Sequence, residues 1–355
     1  MRKLLIPLAV ALFGCSQNPK LAFDNYPEKA SLEVDEAPHE RNSLEWWYFT
    51  GWLNDVTTHD TFGVEFVMFN FNMNGKKDRV LTNMAITDVS NQSFYYSHAL
   101  NAKDSIISAK LPLSITAENH QTKAVLSGSF GKYLLQGSSV SESMPFEIQL
   151  ETEASKPVLM HGDGSGFENY GDIAKAGYYS FPKLSTNGKL TIGDEEHIVE
   201  GDLWYDRQWN CGAVLSQPKA GWDWMSITIN ETGEQLMLYR LRVENEQEIL
   251  GGTLLYPNGS SRHLSQDEIL IVNKGYWKSN QSKNSYPTEL AVEIPSEDLK
   301  LTVSAVLNHQ ELGIKILPGL EMHYWEGMCH VRGTHDGNEV TGTSYLEITN
   351  PQNRK

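Results

Sequence analysis

An all-β, antiparallel fold divided between two domains is what this sequence predicts. Three observations predict it: hairpin dipeptides between strand-like runs, period-two apolar alternation, and a length too great for one core. The dipeptides are Asn74-Gly75, Asn187-Gly188, Asn258-Gly259 and Asp336-Gly337, which supply the positive-φ residues of a type I′ turn. Alternation is cleanest in Leu290-Ala291-Val292-Glu293-Ile294 and in Leu299-Lys300-Leu301-Thr302-Val303-Ser304-Ala305, which read as half-buried antiparallel strands. Between Phe62 and Met73 the apolar parity switches at Val67, predicting a β-bulge or a strand corner. The chain has 355 residues, whereas single cores stop growing at roughly 250–300. No stretch beyond the N-terminal segment carries convincing helical periodicity.

At the N-terminus, Arg2-Lys3 form a basic start, Leu4 to Phe13 a short apolar run, and Leu12-Phe13-Gly14-Cys15 a lipobox. The apolar run is too short to cross a bilayer as a permanent helix, so residues 1–15 read as a lipoprotein signal ending at the lipidation site, Cys15. Phe13 is bulky for a lipobox, which leaves plain secretion or an uncleaved anchor as alternatives. Two or three acyl chains on Cys15 meet the two-signal minimum for stable membrane anchoring. Ser16, rather than an aspartate, follows that cysteine, favouring the periplasmic face of the outer membrane. Residues 16–24 form a short tether.

Two domains follow, 25–215 and 216–355, divided at the polar segment Ser216-Gln217-Pro218-Lys219. A faint repeat supports likeness between them, since Glu45 to Asn54 aligns with Gly221 to Asn230, with Trp46 and the closing Asn54 matched identically. The glycine-rich run Met160 to Gly166 reads as a flexible loop, a candidate flap.

Charge narrows the partners. Without Met1 to Gly14 the chain keeps 27 Lys+Arg against 45 Asp+Glu, about −18, which argues against nucleic acid or an anionic membrane surface. Cys211 and Cys329 remain in the mature chain, as two buried thiols or, in an oxidising periplasm, a disulfide.

The densest signal is aromatic. Glu45-Trp46-Trp47-Tyr48-Phe49-Thr50-Gly51 is echoed by Gly201-Asp202-Leu203-Trp204-Tyr205-Asp206-Arg207-Gln208-Trp209. Rings crowded beside carboxyls suit an apolar-ligand cavity holding one acidic group. Further motifs are Tyr178 to Leu184, Gly221-Trp222-Asp223-Trp224, Tyr324-Trp325-Glu326-Gly327 and Tyr345-Leu346-Glu347-Ile348-Thr349. In this order, from about His39 to the C-terminus, the set resembles the AttH/carotenoid 1,2-hydratase-like family of two-domain lipocalin-like (calycin) proteins. The resemblance implies two packed antiparallel β-barrels, each opened by a tryptophan-bearing strand. It also implies an apolar ligand and, for the AttH branch, association with ABC-transporter components.

Asp206 is the candidate acid. Set among Trp204, Tyr205 and Trp209, its carboxyl is desolvated, which raises its pKa and keeps a proton available. Protonating a carbon–carbon double bond gives a cation that aromatic faces stabilise within about 6 Å, and water capture completes a hydration. The carotenoid-hydratase resemblance places the acid at this aspartate, but where that branch carries Tyr-x-Asp-His this chain has Arg207 after Asp206. An Asp206–Arg207 ion pair would lower the pKa and leave a structural role. Glu45 is either a second acid or base, or a carboxylate satisfied by arginine and backbone donors. Trp46, Trp47, Tyr48, Tyr179, Trp204, Tyr205, Trp209, Trp222 and Trp224 are the candidate ligand-binding residues, although Trp46 and Trp47 must point to opposite faces. His39, His161 and His197 stand in polar, loop-like contexts and read as surface residues.

No cofactor or metal is expected. Asp163 to Glu168 lacks the carboxylate series of a calcium loop, and Gly162, Gly164 and Gly166 do not make a dinucleotide fingerprint. His330 and His335 have no zinc-site spacing, and no Gly-x-Ser-x-Gly elbow occurs. The leading function is a membrane-anchored lipoprotein binding a lipid, isoprenoid or polyketide-like molecule. The alternatives are a hydratase, isomerase or cyclase using Asp206, and a glycan-binding module, whose tryptophans would be expected on loops rather than in strands. On the anchoring expectation, Cys15→Ser abolishes metabolic labelling by a fatty acid and releases the protein from the membrane fraction; unchanged labelling would refute the lipidation site.

Overall fold

The computed structural model describes residues 27–39, 44–71, 79–101, 110–140, 145–217, 219–317 and 320–351. Cys15, the signal, the tether and Asn74-Gly75 lie outside them. After a one-turn helix α1 (Leu32–Asp35), twelve strands form the first sheet. They are β1 (Leu44–Asp55), β2 (Thr61–Phe71), β3 (Arg79–Asp88), β4 (Ser93–Asn101), β5 (Leu113–Glu118), β6 (Thr122–Ser129), β7 (Lys132–Ser139), β8 (Phe146–Ala154), β9 (Leu159–Met160), β10 (Phe167–Tyr170), β11 (Ala174–Ile192) and β12 (Glu195–Trp209). The order is β4-β3-β2-β1-β12-β11-β8-β7-β6-β5, with β9 and β10 on β11. Ser97 on β4 and Thr122 on β6 bond at 2.5 Å between opposite ends of that order, so the sheet curls into a nearly closed barrel.

A short helix α2 (Gly212–Leu215) leads to the second sheet. Its strands are β13 (Gly221–Ile229), β14 (Gln235–Arg242), β15 (Ile249–Leu255), β16 (Ser261–Leu264), β17 (Leu270–Lys278), β18 (Ser285–Ile294), β19 (Leu299–Ala305), β20 (Glu311–Leu317), β21 (Leu320–His335) and β22 (Asn338–Thr349). The order β16-β15-β14-β13-β22-β21-β19-β18-β17 repeats the logic of the first sheet, because the first strand pairs with both the second and the last. Arg240 on β14 reaches Asn273 Oδ1 on β17 at 2.7 Å, lacing the ends of this sheet. The fold is all-β, two lipocalin-like antiparallel barrels packed together.

Asp336-Gly337 turns β21 into β22 with φ of 48° and 74°, as a type I′ hairpin requires, and Asn258-Gly259 joins β15 to β16. Asn187-Gly188 does not turn the chain; it lies inside β11 between β8 and β12. A Cβ at Gly188 would sit 2.1 Å from the carbonyl oxygen of Gln149, so glycine admits the neighbouring strand. The parity switch at Val67 is not a bulge either, for β2 keeps register with β1 and β3 from Thr61 to Phe71. Phe62, Val64, Phe66 and Met68 fill the first barrel while Val67 packs outside it against the second. A strand buried on both faces loses its alternation. Met160 to Gly166 is no free flap: Gly166 N–H donates to His161 O at 2.8 Å and Gly162 N–H to Glu168 Oε2 at 3.0 Å.

The first barrel is filled by its own side chains and by the N-terminal segment. Trp47, Phe49, Tyr179, Tyr205 and Trp209 belong to its core. Glu36, just after α1, is fully buried there and accepts hydrogen bonds from Tyr133 (2.5 Å), Tyr205 (3.3 Å) and Tyr179. Desolvation raises the Glu36 pKa against the pull of these hydroxyls and Arg207, so the carboxyl stays protonated above the usual range. Arg207 holds the segment in place. Its Nε donates to Asp35 O and its Nη2 to Ala37 O, both at 2.9 Å, while Nη2 meets Glu45 Oε2 at 2.6 Å. Its guanidinium lies 4.1 Å from the Trp47 ring centroid. Arg207→Gln therefore strands the buried Glu45 carboxylate and frees residues 27–39. The expected loss is about 3–5 kcal/mol in chemical denaturation, and a loss under about 1 kcal/mol would contradict this role.

Candidate active site between the barrels

The cavity that collects the aromatic motifs is not inside a barrel. It lies between the two barrels as an open cleft of about 770 Å³ of atom-free space, solvent at its mouth included. The first barrel contributes Trp46 and Tyr48 from β1, Tyr178 from β11, and Asp206 and Gln208 from β12. From the second come Trp222 and Trp224 on β13, Tyr239 on β14, Glu326 on β21 and Glu347 on β22. Phe69, Tyr170 and Leu241, with Cys211 and Val214 at the connecting helix, complete the lining among the described residues.

Strand periodicity decides which candidates meet there, since successive side chains point to opposite faces. On β12, Trp204, Asp206 and Gln208 face the seam, while Tyr205, Arg207 and Trp209 face the barrel interior. On β1, Trp46 and Tyr48 face the seam, while Glu45 and Trp47 face inward with Arg207. Four expected ligand-binding residues, Trp47, Tyr179, Tyr205 and Trp209, are thus core residues of the first barrel. Trp46, Tyr48, Trp222 and Trp224 line the cavity, with Trp204 packed behind Asp206.

Asp206 is 2% exposed and does not pair with Arg207. Its Oδ1 accepts from Trp204 Nε1 at 2.6 Å and from Ser180, and its Oδ2 accepts from Tyr178 at 2.7 Å. Burial raises its pKa to about 7, even though these three donors favour the ionised form. Trp224 Nε1 donates to the Tyr178 oxygen at 2.8 Å, so the second barrel helps set the hydroxyl that faces the carboxyl.

Behind this carboxyl runs a polar chain. His161, expected at the surface, is fully buried, with Nε2 2.7 Å from Ser180 and Nδ1 2.8 Å from Thr253. Burial lowers its pKa to about 3, leaving a neutral ring. One tautomer satisfies every partner: Thr253 donates to Nδ1, Nε2–H donates to Ser180, and Ser180 donates to Asp206. Ser180 is itself fully buried, so this order holds a carboxyl rather than exposing a hydroxyl nucleophile.

Sequence reasoning passed over three further carboxyls, Glu347 and Glu326 of the second barrel and Glu65 on β2 of the first. Glu347 is half-buried, accepts from Trp222 Nε1 at 2.9 Å, and is raised to about 7 by burial, with the charges of Asp206 and Asp223 adding to the rise. Glu326 accepts from Tyr48 and lies well above the carboxylate range through burial and the charge of Glu65. Glu65 is raised to about 8 by burial and the charge of Glu347, with Tyr324 donating to it at 3.3 Å. Their place in aromatic motifs was the available signal, but only packing of the two barrels brings them together.

Glu45 is no acid or base of the cavity. It accepts from Asn70 at 2.7 Å and His39 at 2.9 Å besides Arg207, and its pKa is lowered. Desolvation opposes that shift, and the Arg207 charge leads the groups that overcome it. Cys211 and Cys329 are free, buried thiols in separate clusters, not a disulfide. Burial raises both above the ordinary thiol range, so neither is an activated nucleophile.

The raised carboxyls fix a pH dependence. Glu65 binds its proton more tightly folded than unfolded, so its contribution is complete below its ordinary value of 4.5 and is lost as pH rises through about 8. Glu65→Gln removes that loss. The variant should match the wild type near the lower limit and melt at higher temperature near the upper one. A stability difference independent of pH would contradict the raised pKa.

Comparison with known proteins agrees with this architecture. The AttH-like family model matches residues 25–351. Dehydratase asqC of Emericella nidulans is 26% identical over 209 residues, which cover 57% of this chain and 57% of its own length. The match thus spans little more than half of that relative. Kievitone hydratase of Fusarium solani subsp. phaseoli is 23% identical over 288 residues, 78% of each chain. The crystal structure of kievitone hydratase from Nectria haematococca superposes with a TM-score of 0.71 at 16% identity, covering 90% of this chain and 93% of that one, a likeness of fold. With a family match over nearly the whole length, paired barrels and the aromatic seam between them, the chain belongs to the AttH-like family.

Proposed function

We propose that this protein is a hydratase- or dehydratase-type enzyme that adds or removes water on an apolar, uncharged substrate held between the barrels, with Asp206 as general acid. The observation that carries the reading is the Asp206 carboxyl itself: buried on the cavity wall, free of Arg207 and raised to about 7. An acid poised near neutrality is half-protonated at the pH where it works. In dehydration it protonates the leaving hydroxyl; in hydration, the same path reversed, its carboxylate takes a proton from the attacking water. The faces of Trp46, Trp224 and Tyr178 line the space where positive charge develops. The named relatives, a dehydratase and a hydratase, support the same reaction class.

The carrier reading uses the same cavity but gives no task to a carboxyl kept protonated in it. An ABC-transporter partner belongs to that carrier reading. Anchoring through Cys15 would hold the enzyme at the periplasmic face of the outer membrane.

Aromatic β-hydroxyketones and their unsaturated dehydration products are suitable probes, followed by mass spectrometry for gain or loss of one water. Asp206→Asn keeps the shape and its acceptor oxygen but cannot give a proton. Turnover should fall roughly 10²–10⁴-fold with binding retained. Wild-type activity should decline as pH rises through about 7. Equal turnover by variant and wild type would exclude Asp206 as the acid, and binding without turnover in both would restore the carrier.

A further inference from the structure

We propose that Glu347 is the catalytic base opposed to Asp206, so that the two barrels each supply one half of an acid–base pair. This rests on the hydro-lyase reading and deepens it to a substrate class: neutral alcohols with an acidified C–H beside the hydroxyl-bearing carbon, such as β-hydroxycarbonyl compounds. Both carboxyls line one cavity, Asp206 from β12 and Glu347 from β22. The other cavity carboxyl, Glu326, is 1% exposed and tied to Tyr48 and Glu65. Glu347 differs. It is half-buried, and a single indole, Trp222, engages one of its oxygens. Among the described residues no lysine or arginine lines the cavity, so an anionic ligand meets carboxyls and no counter-charge there. A neutral substrate bearing hydroxyl donors fits instead.

Burial raises Glu347 to about 7, with the charges of Asp206 and Asp223 adding to the rise, and burial raises Asp206 to about 7. Two carboxyls of similar proton affinity on one cavity wall, one feeling the other's charge, share a single proton near neutrality. The working form has Asp206 protonated and Glu347 ionised. Glu347 then takes the proton from carbon as the C–H electron pair passes into the adjacent carbonyl as an enolate, and the enolate's electrons return to form the double bond. The C–O bond breaks with its electrons on oxygen, and that oxygen takes the Asp206 proton and leaves as water. Glu347 ends protonated and Asp206 ionised, and a proton passed back through the released water restores the pair. Hydration is the same path reversed.

Two indoles make the pair observable without substrate, because Trp222 donates to Glu347 and Trp204 to Asp206. In protein labelled with ¹⁵N-tryptophan, both indole resonances should titrate through neutrality. Asp206→Asn should lower the Trp222 midpoint, and Glu347→Gln should lower the Trp204 midpoint. The remaining indole lines report that each variant is folded. If Trp222 does not titrate, or its midpoint ignores Asp206→Asn, the pair is refuted while Asp206 remains an acid. If Trp204 does not titrate, the hydro-lyase reading itself fails. For a β-hydroxyketone in D₂O, Asp206→Asn should still exchange the α hydrogen while losing dehydration, and Glu347→Gln should lose both. Retained exchange in Glu347→Gln would overturn its role as base.

Discussion

The two-sided burial of β12 is the constraint on which the rest depends. One strand faces two cores, and its side chains alternate between them without exception from Trp204 to Trp209. The odd-numbered set builds the first barrel and fixes its N-terminal segment through Arg207. The even-numbered set furnishes the wall of the seam. A shift of one residue would exchange these sets, placing an arginine in the cavity and a protonated carboxyl against Trp47. Stability and chemistry are therefore specified by the same run of six residues, divided by parity.

Much of the fold was legible because hairpin dipeptides and alternation are local. Leu299 to Ala305 is a strand end to end, and Asp336-Gly337 is a turn. Asn187-Gly188 misled because a glycine that admits a neighbouring backbone has the same sequence as one that turns the chain. Val67 misled because a strand covered on both sides has no polar face to mark its register.

The site was legible in part. The aromatic setting of Asp206 singled it out as the candidate acid, whereas the Asp206–Arg207 pair offered as its alternative does not form, because alternate residues of β12 face opposite sides and Arg207 meets Glu45 instead. What could not be read was direction. Trp47, Tyr178 and Tyr179 are buried and Trp46 is half-buried, and only the contacts of the second barrel decide which member of each pair serves the cavity. Glu347 and Glu326 were unreadable for a stronger reason. Their raised affinity for protons comes from packing against residues more than a hundred positions away, and His161 is buried between Ser180 of its own barrel and Thr253 of the other.

Glu36 and its three tyrosines occupy the cup that a calycin ordinarily keeps for a guest. With the customary vessel stoppered by the chain's own beginning, any guest must be received at the joint between vessels. A joint does not exist until both halves have been synthesised and docked. During translation the first barrel can be complete while the acid on its outer wall still faces open solvent, where a carboxyl ionises normally and does nothing. The proton affinity on which the proposed acid role rests thus arrives last, conferred by the closing contact rather than by either half.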